Sequence, residues 1–115
     1  MRRSKFKARK CVVDGITFDS KLEGSRYVAL KERESQGLLQ ELHLQPKFTL
    51  QDTFTHEATG ATVRRIEYVA DFMYWDVTTG DWVIEDVKGM ETPVFQLKRK
   101  LFLKRYPDYK LVIVN

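Results

Sequence analysis

Hydrophobic and polar positions along the chain switch between alternation and helical spacing, and the switches mark its elements. "CVVDGITF" reads as a short hairpin around Asp14-Gly15, a dipeptide suited to a type I′ turn. Residues 20–36 read as a helix closed by Gly37, with Glu23, Tyr27 and Leu30 on one apolar face. "LLQELHLQPKFTLQ" alternates but is broken by Pro46, which predicts an irregular strand near a sheet edge. Residues 52–65 read as a polar turn region around Thr59-Gly60. "RIEYVADFMYWD" and "DWVIEDVKG" read as two strands joined by "VTTG". Thr92 and Pro93 open a second helix, stopped by Pro107. Val94, Leu97 and Leu101 form its apolar stripe, widened by Phe95 and Phe102. "YKLVIVN" is a closing strand, apolar enough for a sheet interior. This order predicts a layered domain of the α/β or α+β class.

One stretch breaks the apolar pattern. In "YVADFMYWDVTTGDWVIEDVKGM", Asp71, Asp86 and Lys88 interrupt otherwise core-like strands. Carboxylates are seldom fully buried unless they are paired or bind metal. Pairing Asp76 with Asp81 sets Asp71 opposite Asp86, where like charges are destabilising. Side-chain alternation places Asp86 and Lys88 on one face and Glu85 on the other. One lysine cannot neutralise two aspartates, so a buried ion pair is an incomplete account. A hard divalent cation such as Mg²⁺, which takes carboxylate oxygens, water and substrate phosphate, accounts for more. Glu23 is the candidate third ligand, although Ser20-x-x-Glu23 also matches a helix capping box. Lys88 would then hold or activate a water for attack on a phosphodiester. Glu85 is at most an accessory acid.

Composition narrows the class. The 115 residues fit one domain, expected over 11–115 behind a basic arm at 1–10. A single cysteine excludes an intramolecular disulfide framework and a cysteine-rich zinc site, and it favours a reducing, cytoplasmic setting. No apolar run reaches the ~18 residues of a membrane span. The net charge of +4 is unevenly spread. Residues 1–10 carry six basic side chains and no acid, and 92–115 carry six against one acid. The acids lie between them. That pattern suits a polyanion held by its phosphates beside a cation site. A solvated tail and a solvated helix face explain the charge runs equally well.

The spacing from Asp71 to Asp86-Val87-Lys88, followed by a helix, resembles the PD-(D/E)XK nuclease superfamily. "DGITFDSKLEGSRYVAL", "YVADFMYWD" and "VIEDVKG" are also similar to small phage and prophage proteins described as endonuclease-like domains of unknown function. The similarity covers residues 5–114 and is most specific in "FDSKLEGSRY" and "EDVKG". The resemblance implies a restriction-endonuclease-like core, a central mixed sheet flanked by helices. It implies Glu23, Asp71 and Asp86 as metal ligands and Lys88 as the catalytic lysine. Ala70 stands where the motif's name has proline, and Gln96 is a possible accessory residue on the following helix.

The expected function is therefore a Mg²⁺-dependent DNA endonuclease, with Mn²⁺ able to substitute, leaving 5′-phosphate and 3′-hydroxyl ends. Arg2, Arg3, Lys5, Lys7, Lys98, Arg99 and Lys104 are the expected DNA contacts. Two other functions are compatible with the same residues. One is a branched-DNA resolvase, which needs a homodimer. The other is a non-catalytic DNA-binding or phage assembly module with a protein partner.

Overall fold

A computed structural model describes residues 9–115, which form an α+β fold. The strands β1 (Cys11–Val13) and β2 (Ile16–Phe18) pair as a hairpin. Asp14 and Gly15 take the two positive φ angles, 52° and 75°, of the type I′ turn. Helix α1 (Lys21–Ser35) follows, with Ser20 as its N-cap. At its far end Gly37 is left-handed, its N–H donates to Glu34 O, and the Leu38 N–H donates to Arg33 O, a Schellman closure. Gly24 lets α1 approach the first hairpin, since a Cβ there would sit 2.8 Å from Cys11 Sγ. Cys11 thus serves as a small packing group.

The remaining strands are β3 (Leu39–Leu44), β4 (Lys47–Gln51), β5 (Phe54–Thr55), β6 (Thr62–Val63), β7 (Ile66–Val69), β8 (Phe72–Asp76), β9 (Asp81–Val87) and β10 (Tyr109–Val114). Helix α2 (Pro93–Arg105) joins the last two. The central sheet is mixed, in the order β10-β9-β8-β3, with β10 parallel to β9. Its two faces build two cores. Phe72, Tyr74, Val83 and Val87 pack with Tyr27 and Leu30 of α1. Ile84, Met73, Leu111 and Ile113 pack with Phe95 and Phe102 of α2.

Four elements depart from the sequence expectation. The predicted strand over 65–76 breaks at Ala70-Asp71, and its two halves join different sheets. The cause lies across the ladder. Pro46 has no N–H to donate, so the pairing of β3–β4 with β7–β8 is interrupted there and the sheet turns. The closing strand β10 sits at the sheet edge rather than in its interior. Helix α2 is rotated from its expected facing. Val94 and Leu97 are 62% and 60% exposed, Leu101 is also exposed, and Phe95 and Phe102 face the sheet. The two rings lie seven residues apart and meet Phe48, Tyr68 and Tyr106 edge-on, tilted or stacked. These aromatic pairs add to what burial itself contributes, which favours this facing. The region 52–65, read as a turn, also contains the short β5–β6 ladder, in which Phe54 faces Val63.

The β8–β9 hairpin has the expected register, from Phe72 opposite Glu85 to Asp76 opposite Asp81. Trp75 and Trp82 pair across it, with ring centroids 5.5 Å apart. Asp76 closes the turn by accepting from the Thr78 N–H at 2.9 Å and the Thr78 hydroxyl at 2.6 Å. The Thr78 hydrogen bond holds the Asp76 carboxyl below its ordinary value of 3.8. The folded state therefore binds this proton less readily than the unfolded chain. The contribution is full above the ordinary value and is lost as pH falls through the lower folded-state value. The gap in urea midpoint between wild type and Asp76→Ala is expected to stay constant down to about pH 5 and to close in stronger acid.

Candidate active site

The break at Ala70-Asp71 is where the charged residues gather. Ala70 N–H donates to Pro46 O, Gln45 N–H donates to Asp71 O, and Asp71 N–H donates to Glu85 O. The chain thus crosses between sheets while still tied on both sides. Asp71 precedes Phe72, the last β8 residue in register with β9, and its main chain meets Glu85 rather than the expected Asp86. Its Oδ2 accepts from the Val87 N–H at 2.6 Å, which holds the carboxylate against β9 beside Asp86.

Asp86 lies on the α2 side of the sheet. Its Oδ2 accepts from the Tyr68 hydroxyl at 2.5 Å, and its Oδ1 is 3.4 Å from Lys88 Nζ. Lys88 Nζ also lies 4.3 Å from the centre of the Phe95 ring, on which Arg99 stands at 5.3 Å. The Lys88 main chain is fixed too, its N–H donating to Val114 O at 2.8 Å. An aromatic face and the closing strand therefore hold the lysine beside Asp86.

Glu23 arrives from α1. The Glu23 N–H donates to Ser20 Oγ at 3.1 Å, as in a capping box. The return bond differs from the box, because Glu23 Oε2 accepts from the Asp19 N–H at 3.4 Å rather than from Ser20. Glu23 and Asp71 also line one cavity of about 200 Å³, with Ile16, Thr17, Phe18, Leu44 and Gln45. Capping and a place in the site thus coexist in one side chain.

Glu85 has a different partner set. It points to the α1 face, where both oxygens meet Arg26, Nε to Oε1 at 2.7 Å and Nη2 to Oε2 at 2.6 Å. The Tyr74 hydroxyl donates to the same Oε2 at 2.5 Å. This bidentate bond raises the Arg26 pKa, and burial followed by the Glu85 bond pushes the Tyr74 phenol up. Face alternation separated the two acids of the doublet, and the contacts show what each does. Glu85 anchors α1 to β9, and Asp86 faces Lys88.

All four carboxylates are withdrawn from solvent: Glu23 is 1% exposed, Asp71 2%, Glu85 1% and Asp86 0%. Glu23 and Asp71 line one cavity, Asp71 reaches β9 beside Asp86, and Asp86 meets Lys88. Among the described residues, no three His, Cys, Asp or Glu side chains form a metal-holding group by themselves.

The expected DNA contacts scatter. Arg2, Arg3, Lys5 and Lys7 lie outside the described residues. On α2, Arg99 comes near Lys88 through Phe95 and pairs with Glu91 at 3.0 Å. Lys98 is half-buried, Lys104 is exposed, and Arg105 pairs with Asp52 at 3.3 Å. Gln96 is exposed on α2. Sequence reasoning missed Tyr68, Arg26 and Gln45. Tyr68 reads as a core aromatic and Arg26 as a helix-surface cation. Only Gln45 had a signal, its place before the proline that breaks the ladder.

Among the described residues, no helix is long and apolar enough to cross a membrane. No curated protein and no solved structure matches the chain at a significant level. Residues 3–115 match the family described as Protein of unknown function (DUF1064), and the chain belongs to that family.

Proposed function

We propose that this protein is a metal-dependent DNA endonuclease of the PD-(D/E)XK type. The observation that carries the reading is Asp86, fully buried and 3.4 Å from Lys88, on the strand where the buried Asp71 carboxylate accepts from the next residue's N–H. Core packing alone gives no reason to bury two carboxylates at one place in a sheet. The donor set is hard and anionic, which fits Mg²⁺ or Mn²⁺, and Mg²⁺ needs only one or two carboxylates when water and substrate phosphate complete its shell. Asp71 and Asp86, with Glu23 across the cavity, would hold the ion, which would supply stabilisation for charge developing on the phosphate.

The chain's own residues do the rest. Lys88, held by Asp86 and Phe95, orients the attacking water and adds positive charge where the phosphate turns more negative. The water oxygen bonds to phosphorus as the bond to the 3′ oxygen breaks. The leaving oxygen takes a proton, giving 3′-hydroxyl and 5′-phosphate ends. Tyr68 keeps Asp86 in place by donating to the oxygen that does not face Lys88. Arg99, beside Lys88 across the Phe95 ring, is the α2 cation best placed to meet a substrate phosphate.

Incubation with supercoiled, branched and single-stranded DNA in Mg²⁺, Mn²⁺ or EDTA tests the reading. Cleavage of at least one substrate with either metal, and none in EDTA, is the expected result. DNA binding without cleavage of any substrate would make the protein a binding module instead. A dimeric branched-DNA nuclease is the second reading, and the exposed stripe of Val94, Leu97 and Leu101 on α2 favours it. Preference for a four-way junction together with a dimer mass on a sizing column would select it.

A further inference from the structure

We propose that Gln45 is a substrate-contacting residue of the carboxylate cavity, its side-chain amide donating to a phosphate oxygen of the bound strand. The proposal rests on the DNA-cleaving reading of the site. Its starting point is the backbone. Gln45 has φ 51°, in the left-handed region that glycine enters without steric cost and most other residues avoid. Among the described residues, two other non-glycine residues share that region, and each has a local reason. Asp14, at 52°, belongs to the type I′ turn, and Glu41, at 54°, lies inside the register shift between Gln40 and His43. Gln45 instead makes the bend that aims the chain at Asp71. A glycine would make the same bend with less strain, so the chain's glutamine calls for a side-chain purpose.

The surroundings supply one. The Gln45 N–H donates to Asp71 O at 2.9 Å, which fixes this residue relative to the candidate ligand. Gln45 lines the cavity that holds Glu23 and Asp71. Those carboxylates are buried, whereas Gln45, Thr17 and Leu44 are the exposed part of the lining. A group entering from solvent toward the carboxylates therefore passes Gln45. The volume of about 200 Å³ is far more than one water needs, so a phosphate with its bound water has room. A neutral amide offers two N–H donors to a phosphate oxygen. It does so without the repulsion that a further carboxylate would add.

The test compares wild type, Gln45→Gly and Gln45→Asn. Asparagine tolerates the left-handed region but is one methylene shorter, so it covers the case in which the glycine variant fails to fold. Binding of fluorescein-labelled duplex and single-stranded oligonucleotides is measured in Ca²⁺, cleavage in Mg²⁺ and Mn²⁺, and the melting midpoint without DNA. Gln45→Gly is expected to melt at or above the wild-type temperature and to bind DNA about tenfold more weakly, with a matching loss of cleavage. A folded Gln45→Gly or Gln45→Asn protein that binds and cleaves like wild type overturns the proposal. If wild type binds DNA but cleaves nothing, the hydrolytic reading fails by itself. Gln45 is then judged on affinity alone, where a tenfold loss upholds the contact and equal affinity removes it. If wild type binds no DNA, both readings fall.

Discussion

Asp86→Asn is expected to lower DNA cleavage by about 10²–10³-fold and leave the melting temperature unchanged or slightly raised. The two halves of this result have separate physical causes. Asparagine keeps the volume of aspartate and a carbonyl oxygen that can accept from the Tyr68 hydroxyl, so packing and this hydrogen bond survive. Removing the charge relieves a carboxylate that is fully buried and lies one residue from the Val87 N–H that holds Asp71. Lys88 loses its partner at 3.4 Å, but its side chain is 22% exposed and can turn to water. The catalytic loss comes from the missing anionic ligand and from a lysine no longer held. A parallel Lys88→Arg variant is expected to stay largely inactive, because a planar guanidinium cannot take the place of a point charge. Thermal melts and initial cleavage rates check both halves together. A large drop in melting temperature with activity retained would mark Asp86 as a structural partner of Lys88 and remove it from the site.

The second large effect concerns stability. Arg26→Ala is expected to destabilise the fold by about 3 kcal/mol in urea unfolding, the low end for breaking a buried ion pair. Glu85→Gln is expected to cost less. The asymmetry follows from exposure. The Arg26 side chain is 25% exposed and Glu85 only 1%, so Arg26 can recover hydration when its partner is removed and Glu85 cannot. Tyr74 still donates to Glu85 in the arginine variant, which limits the loss. Glutamine at 85 keeps an oxygen for Tyr74 or for Arg26. The same pair sets where α1 rests on β9, and Glu23 lies three residues before Arg26 on that helix. The arginine variant should therefore also lose cleavage, whereas an equal cost from Glu85→Gln would show that the charge of the pair, not the burial of Glu85, sets its worth.

Much of the site was legible in the sequence because its geometry is local. The Asp76–Asp81 closure and the two-residue alternation determine which residues oppose which, and they sufficed to separate Asp86 from Glu85. Ser20 and Gly37 bounded α1, and Thr92 and Pro93 opened α2, because capping chemistry acts within a turn of its residue. What stayed hidden depends on distant partners. "YVADFMYW" reads as one strand because its breaker, Pro46, lies on the neighbouring strand. The facing of α2 could not be read from its own pattern, since the aliphatic and the aromatic stripes both have helical spacing. Phe48 and Tyr68 decide between them, and they come from two other places in the chain. Tyr68 and Arg26 carried no signal for the same reason, because their acceptors lie 18 and 59 residues away.

The hydrogen bond from Lys88 N–H to Val114 O has a consequence for synthesis. Glu23, Asp71, Asp86 and Lys88 have all been added to the chain well before residue 114. The strand that ties Lys88 lies across α2, in a parallel pairing that forms only after this long connection closes. A nascent chain that has reached Arg105 holds every charged group of the site yet lacks the acceptor that secures its lysine. Completion of the candidate site is thus a late event in the making of this protein, arriving when β10 docks and not when the last charged residue is joined.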